Sequence, residues 1–201
     1  MTQQPVKLTA KGRATRQRIV EGAAAEIRAR GVVATTLEDV CRATATSKSQ
    51  LFHYFPDGRE QLMYAVAQYE ADRVLHDQEP FLSDLTSWAA WDAWREAVLA
   101  RYREQGMTCP LGTLMTQLTR TTPASREVTA RLLQQWQRKL ADGIRAMREQ
   151  GATAPGTDPE QAAAALLAGV QGGVAILLQT GRTTHLEAAL ELGVSALRAD
   201  S

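Results

Sequence analysis

No stretch of this chain alternates apolar and polar residues for long enough to make a half-buried strand. Apolar residues recur instead at steps of three and four, from Ile19 to Leu197, which is the period of an α-helix. Sheets and barrels are thereby excluded, and packed helices remain. Ile19, Val20, Ala23, Ala24 and Ile27 form a first stripe, ended by Gly31. A second, short helix is predicted to open at Thr35 or Thr36, where Thr35 and Glu38 have capping-box spacing, and to run through Leu37, Val40 and Cys41. A third opens at Ser47, with Gln50 at the box position, and stops at Pro56. A fourth starts at Asp57, again with a Glu60 three residues on, and shows Leu62, Val66 and Tyr69.

Longer helices follow. Leu85 to Tyr102 is one, and Leu111, Leu114, Met115 and Leu118 mark another. Pro123 opens a long helix through Leu132, Leu133, Trp136, Leu140, Ile144 and Met147. Gly151 to Pro159 reads as a linker, after which Asp158, Pro159 and Gln161 supply a cap, a proline at the first helical position and a glutamine at the third. The next helix is apolar nearly all round, and the last places Leu186, Ala189, Leu190, Gly193, Val194 and Leu197 on one face. The expectation is an all-α protein of about nine helices, with a three-helix unit in residues 1–56 and a helical body in 57–201.

Composition narrows the class. Hydrophobic residues make up 44% and charged residues 22%, an ordinary globular balance, and the two cysteines, Cys41 and Cys109, cannot form a framework of bridges. Residues 1–10 lack the apolar run of a signal peptide, so a cytoplasmic setting is expected. Ala162 to Leu178 is the most apolar stretch, but it contains Gln171 and three glycines and is short for a bilayer crossing, so no membrane partner is expected. His53, His76 and His185 share no metal-ligand spacing, and there is no glycine-rich phosphate loop. No enzyme activity, metal or cofactor is expected.

The net charge of +1 hides an asymmetry. Residues 1–60 carry ten Lys/Arg against six Asp/Glu, whereas the remainder carries thirteen against sixteen. Lys7, Lys11, Arg13, Arg16 and Arg18 precede any acid. A basic head on a mildly acidic body suits contact with a polyanion. Three short helices, the last two joined by Thr44-Ala45-Thr46, match a helix-turn-helix, whose second member enters the major groove of double-stranded DNA by its N-terminal end. Ser47, Lys48, Ser49 and Gln50 stand at that end, where Lys can donate to guanine and Gln can bond adenine bidentately. Leu51, Phe52 and Phe55 are expected in the core, and Thr36, Tyr54 and Arg59 at phosphates, beside helix N-termini at 36 and 57.

Residues 16–66 resemble the DNA-binding domain of the TetR family of bacterial transcriptional repressors. The resemblance rests on Arg16, Ile19-Val20, Ala23-Ala24, Gly31, Thr35-Thr36-Leu37-Glu38-Asp39-Val40 and above all Ser47-Lys48-Ser49-Gln50-Leu51-Phe52-His53-Tyr54-Phe55. Phe55-Pro56-Asp57-Gly58-Arg59-Glu60, and Cys109-Pro110-Leu111-Gly112 further on, resemble a multidrug-responsive subgroup. The resemblance implies a homodimer in which Lys48, Ser49 and Gln50 face bases and Tyr54 and Arg59 face the backbone, with His53 on the same motif. Three departures stand out, one of them Arg59 where lysine is commoner. Ala45-Thr46 replaces the usual Gly-Val of the turn, and Phe52 replaces a tyrosine that would donate to a phosphate.

In the body, Trp88, Trp91 and Trp94 share a wide apolar face that also includes Arg95. A guanidinium there either pairs with a neighbouring carboxylate or receives a ligand next to aromatic walls. The resemblance implies a small-molecule inducer, apolar or aromatic, among these helices. Trp91, Arg95, Met107, Cys109, Met115, Trp136 and Gln171 are the candidate lining. Ala162 to Ala165, Gly169 and Gly173 permit close backbone approach, so the last two helices are expected to form the dimer interface. The function expected is a ligand-responsive regulator, a repressor, released from a palindromic operator by its inducer. The alternatives are a ligand-binding module without DNA binding and a redox sensor built on Cys109, whose thiol precedes a helix-starting proline.

Overall fold

Nine α-helices and one 3-10 turn make up the regular structure among the residues that the computed structural model describes, which are 8–106, 109–113, 117–118 and 122–198. In chain order they are α1 (Ala10–Arg30), α2 (Leu37–Ala43), α3 (Lys48–Tyr54), α4 (Arg59–His76), the 3-10 turn Phe81–Ser83, α5 (Trp88–Gln105), α6 (Pro110–Thr113), α7 (Pro123–Glu149), α8 (Pro159–Thr180) and α9 (Thr184–Ser195).

The apolar stripes became the core. The five residues of the first stripe are the buried residues of α1, and Gly31 ends that helix at φ 85°, its N–H on the Ile27 carbonyl. Thr122 and Asp158 cap α7 and α8 by accepting backbone N–H groups of the first turn, each followed by a proline that has no N–H to satisfy. Trp136, Leu140, Ile144 and Met147 line the inner face of α7.

One capping pair and two helix starts differ from the sequence expectation. The capping box of α2 is Thr36 with Asp39, not Thr35 with Glu38, because the Thr35 hydroxyl donates to the Gly31 carbonyl at 2.8 Å. Helix α4 begins at Arg59 rather than Asp57. Gly58, at φ 65°, stands before it, and no side chain caps it. Helix α5 begins at Trp88 under a Ser87 cap; Leu85 is buried but lies ahead of the helix. The expected helix through Leu114 and Met115 falls largely outside the described residues, apart from α6 and the residues Gln117 and Leu118.

Helix α4 packs on α1 at one side and on α7 at the other, so it belongs to both halves of the chain. Arg28 of α1 is ion-paired with Glu70 of α4, whose side chain is fully buried. Burial pushes the Glu70 carboxyl up and the nearby Arg28 and Arg73 guanidinium groups pull it back. At the other end of α4, Asp77 accepts from Arg101 at 3.0 Å and from Gln105 at 2.8 Å. Gln78 accepts from the Trp94 indole at 3.0 Å. The body is thus bolted to the last turn of α4 and the head to its middle.

Helix α8 is long and apolar enough to cross a membrane by length and composition. Here it packs lengthwise on α7 and α9. Two of its three glycines work within the chain. An added Cβ at Gly173 would lie 2.5 Å from the Leu186 Cα, and one at Gly169 3.3 Å from the Ala189 Cβ. The close approach expected against a partner chain is therefore made to α9. What α8 leaves exposed is a separate strip that includes Ala164, Ala165, Ala168, Gly172 and Ala175, and α9 exposes 70% of Leu192.

Candidate nucleic-acid interface

The turn between α2 and α3 reaches its geometry without glycine by holding Ala45 at φ 46°. A non-glycine residue there costs about 1–2 kcal/mol. The flanking threonines fix it. Thr44 donates to the Val40 carbonyl at 2.7 Å, and Thr46 donates to the Thr44 carbonyl at 3.1 Å. The Thr44 methyl seats against Gly22 of α1, where a Cβ would lie 2.2 Å away.

Ser47 then caps α3 by accepting the Gln50 N–H at 3.1 Å. Leu51 points into the core. At about 100° per residue, Ser49 and His53, two positions either side of Leu51, fall about 160° away from it. They form the middle of the outer face, with Lys48, Gln50 and Phe52 at its edges, and all five are exposed. Lys48 is ion-paired with Glu38 of α2 at 3.1 Å. A backbone hydrogen bond, helped by that pair, holds the Glu38 carboxyl below its usual range.

One expectation is corrected, and two side chains expected at phosphates already make contacts within the chain. Phe52 was expected in the core with Leu51 and Phe55; Phe55 is fully buried, but Phe52 is 37% exposed. The reason is register, since α3 is too short to bury positions one residue apart on a single contact line. Tyr54, expected at a phosphate, is half-buried with its ring edge-on to His53. Arg59, also expected at a phosphate, donates to the carbonyls of Thr35 and Val32. It is a strut between the start of α4 and the α1–α2 loop. The Thr36 hydroxyl is likewise engaged, donating to Asp39 at 2.7 Å. Asp39 in turn pairs with Arg30 and Arg42, and the Thr36 contacts with Arg30 hold its carboxyl far below the usual range.

In the body, Trp91 and Trp136 are fully buried and neither indole N–H has an acceptor among the described residues. The Gln171 amide nitrogen is buried and has no partner among the described residues either. Gln171 stands seven residues before Leu178, hence on the same side of α8, and Leu178 packs against Gly112 of α6. Arg95 is ion-paired with Glu191 of α9 and with Glu96, its side chain 19% exposed. It found the neighbouring carboxylate. Cys109 is fully buried and accepts the Gly112 N–H at 3.1 Å. Met107 and Met115 lie outside the described residues.

Sequence reasoning missed Gln78, Glu191 and Gln117, which accepts the Val32 N–H at 2.8 Å and so ties the body to the α1–α2 loop. Each is a lone polar residue with no periodic signal, and its partner lies 16 to 96 residues away in sequence.

Comparisons with known proteins converge. Residues 19–66 match the family model described as bacterial regulatory proteins, tetR family, and residues 88–192 match the tetracyclin repressor-like C-terminal domain. An HTH-type transcriptional regulator of Mycobacterium tuberculosis is 30% identical over 143 residues, 64% of this chain and 71% of the relative. One from Lactococcus lactis is 25% identical over 187 residues, covering 90% and 91%. Among solved structures, a TetR transcriptional regulator from Chloroflexus aurantiacus superposes with a TM-score of 0.78 at 23% identity, covering 96% of this chain and all of the other. A complex of SmeT with triclosan superposes at 0.74 and 19% identity, covering 94% and 93%.

Proposed function

This chain belongs to the TetR family and is a helix-turn-helix transcriptional regulator, and we propose that it is a dimeric, cytoplasmic repressor released from a palindromic operator by a small, largely apolar or aromatic inducer. The observation that carries the DNA half is the outer face of α3. Ser49 and His53, flanked by Lys48 and Gln50, stand exposed on a helix anchored from behind by Leu51 and Phe55. That face carries donors and acceptors for base edges and no carboxylate of its own. Residues 1–56 are the reading head and 57–201 the sensing and dimerising body, with α4 as the shared lever.

The body supports the sensing half. Indole N–H groups buried without a partner are costly, about 1–3 kcal/mol each. An inducer with an aromatic frame and hydrogen-bond acceptors relieves that cost at Trp91 and Trp136. The triclosan bound by the SmeT neighbour supports a small molecule of this kind, and the Cys109-Pro110-Leu111-Gly112 motif supports the multidrug-responsive subgroup. The dimer forms through the exposed alanine strip of α8 and Leu192 of α9. Two heads then sit about one helical turn of DNA, or a multiple of it, apart. An inducer that binds better when α4 is displaced changes that spacing and releases DNA.

The test is selection of bound duplexes from a random pool. An enriched palindrome, lost in Lys48→Ala with Gln50→Ala, is the expected result. No enrichment over that variant sinks the DNA-binding reading, and enrichment with no release by any aromatic compound sinks the inducer reading alone.

A further inference from the structure

Helices α1 and α4 diverge on their outer side into an open cleft of about 480 Å³ that the DNA-reading face and the tryptophan-lined body leave unused. The volume lies within the range of about 300–1,000 Å³ common for small-molecule sites. Two arginines wall it. Arg16 from α1 stands with its guanidinium 5.0 Å from the Phe55 ring centre, and Arg73 from α4 with its guanidinium 5.8 Å from that of Tyr69. Neither is ion-paired among the described residues, whereas Arg28 beside them on α1 is held by Glu70. Of the two acids nearby, Glu70 is already paired with Arg28, and Asp72 accepts from Gln68.

Both guanidinium groups are therefore held beside ring faces, and although the Arg73 charge acts on Glu70, neither group spends a hydrogen bond on another of the described residues. A planar fork of this kind matches a carboxylate with two parallel hydrogen bonds. Val20 and Ala65 give the cleft an apolar floor, and the Tyr64 ring is 37% exposed beside it. An anion with a flat apolar body fills both needs; a bare anion fills one. The cleft also runs away from the DNA-reading end. His76 closes it at the last residue of α4, about 25 Å along that helix from Arg59.

We propose that this cleft binds a small aromatic carboxylate, its acid group on Arg16 and Arg73 and its ring on the tyrosine side, as a second ligand site distinct from the body. A ligand there bridges the first helix of the head to the lever α4.

Calorimetric titration of the full chain without DNA tests this. The ligands are 2-naphthoate, the neutral 2-naphthamide and inorganic phosphate. Expected is one naphthoate per chain, with the amide and phosphate each at least tenfold weaker. Arg16→Gln with Arg73→Gln is expected to weaken naphthoate at least tenfold, and Trp136→Phe to leave it unchanged. Absence of naphthoate binding overturns the proposal, as does binding that survives the double variant, which belongs to the body. Phosphate binding as tightly as naphthoate overturns it too, because the cleft then reads charge alone. So does a double variant that loses operator affinity in a protein that never bound naphthoate, since the arginines then belong to the DNA surface. If the double variant does not fold, Arg73→Lys keeps the charge and removes the fork. At least threefold weaker naphthoate binding is then expected, and unchanged affinity overturns the proposal.

Discussion

Adjacent glycines on α8 should respond to the same substitution with opposite signs. A Cβ on Gly173 would lie 2.5 Å from the Leu186 Cα and 2.9 Å from the Leu186 N and Cβ, so two of its three nearest neighbours are backbone. Backbone cannot swing aside as a side-chain tip can. Restoring a carbon contact of about 3.5–4.0 Å requires α8 and α9 to part by about 1 Å. Overpacking of that kind costs about 1–3 kcal/mol, and alanine returns up to about 1 kcal/mol in helix propensity. The net expectation for Gly173→Ala is a loss of about 1–2 kcal/mol, or a Tm lower by about 2–8 °C for a chain of this size. Gly172 faces open space, with nothing within 4 Å of an added Cβ. Gly172→Ala keeps only the propensity gain and should raise the Tm of the monomer by about 2–4 °C. Thermal melts followed by circular dichroism, at a concentration where sedimentation shows monomer, measure both. A Gly173→Ala protein as stable as the wild type would refute the claim that the α8 and α9 backbones touch. Because Gly172 lies on the strip assigned to the dimer, its variant should also dimerise less tightly in the same sedimentation series.

Four further outcomes are expected. Glu38→Gln frees Lys48 and removes a carboxylate from the reading head, so operator affinity should rise several-fold at low salt, with the gain fading as salt is added; equal affinity at every salt concentration would show that Lys48 does not reach DNA. Phe52→Tyr puts a hydroxyl on an exposed ring beside Lys48 and should tighten operator binding about fivefold or more, by one phosphate hydrogen bond. Ala45→Gly relieves a left-handed residue worth about 1–2 kcal/mol but loosens the unfolded chain by about 0.5–1 kcal/mol, so denaturant melts should show a gain of up to about 1 kcal/mol. Asp39 has a lowered folded pKa, so its contribution is full above the unfolded value of about 3.9 and is lost as pH falls toward the folded one; Asp39→Ala should therefore flatten the acid limb of stability below about pH 4, and an unchanged limb would remove Asp39 from the account.

Much of this was legible because helix rules are local. The Ile19 to Ile27 stripe, the Thr122 and Asp158 caps with their prolines, and the glycine stop at Gly31 each need only a few consecutive residues, and each stands where periodicity put it. The helix-turn-helix was readable for the same reason, being built from three short neighbours. Which of two adjacent threonines caps α2 was not, because Thr35 is diverted by a bond to Gly31. Nor was the fate of Arg59. Its position suited a phosphate, and only the fold brings two loop carbonyls, from residues 24 and 27 positions earlier, onto its donors.

The sequence alone determined the helical class, the order of elements, the inward stripes and the polar end of α3, since these follow from side-chain spacing at 3.6 residues per turn and from end chemistry. Only the tertiary structure decided which charges are free. Arg95 has Glu191 and Arg28 has Glu70, whereas Arg16 and Arg73 lie against aromatic rings with no ion pair among the described residues. It also decided that Gly173 serves α9 while Gly172 faces outward. Partners far apart in sequence meet only when helices cross, and a crossing depends on the packing of both surfaces at once.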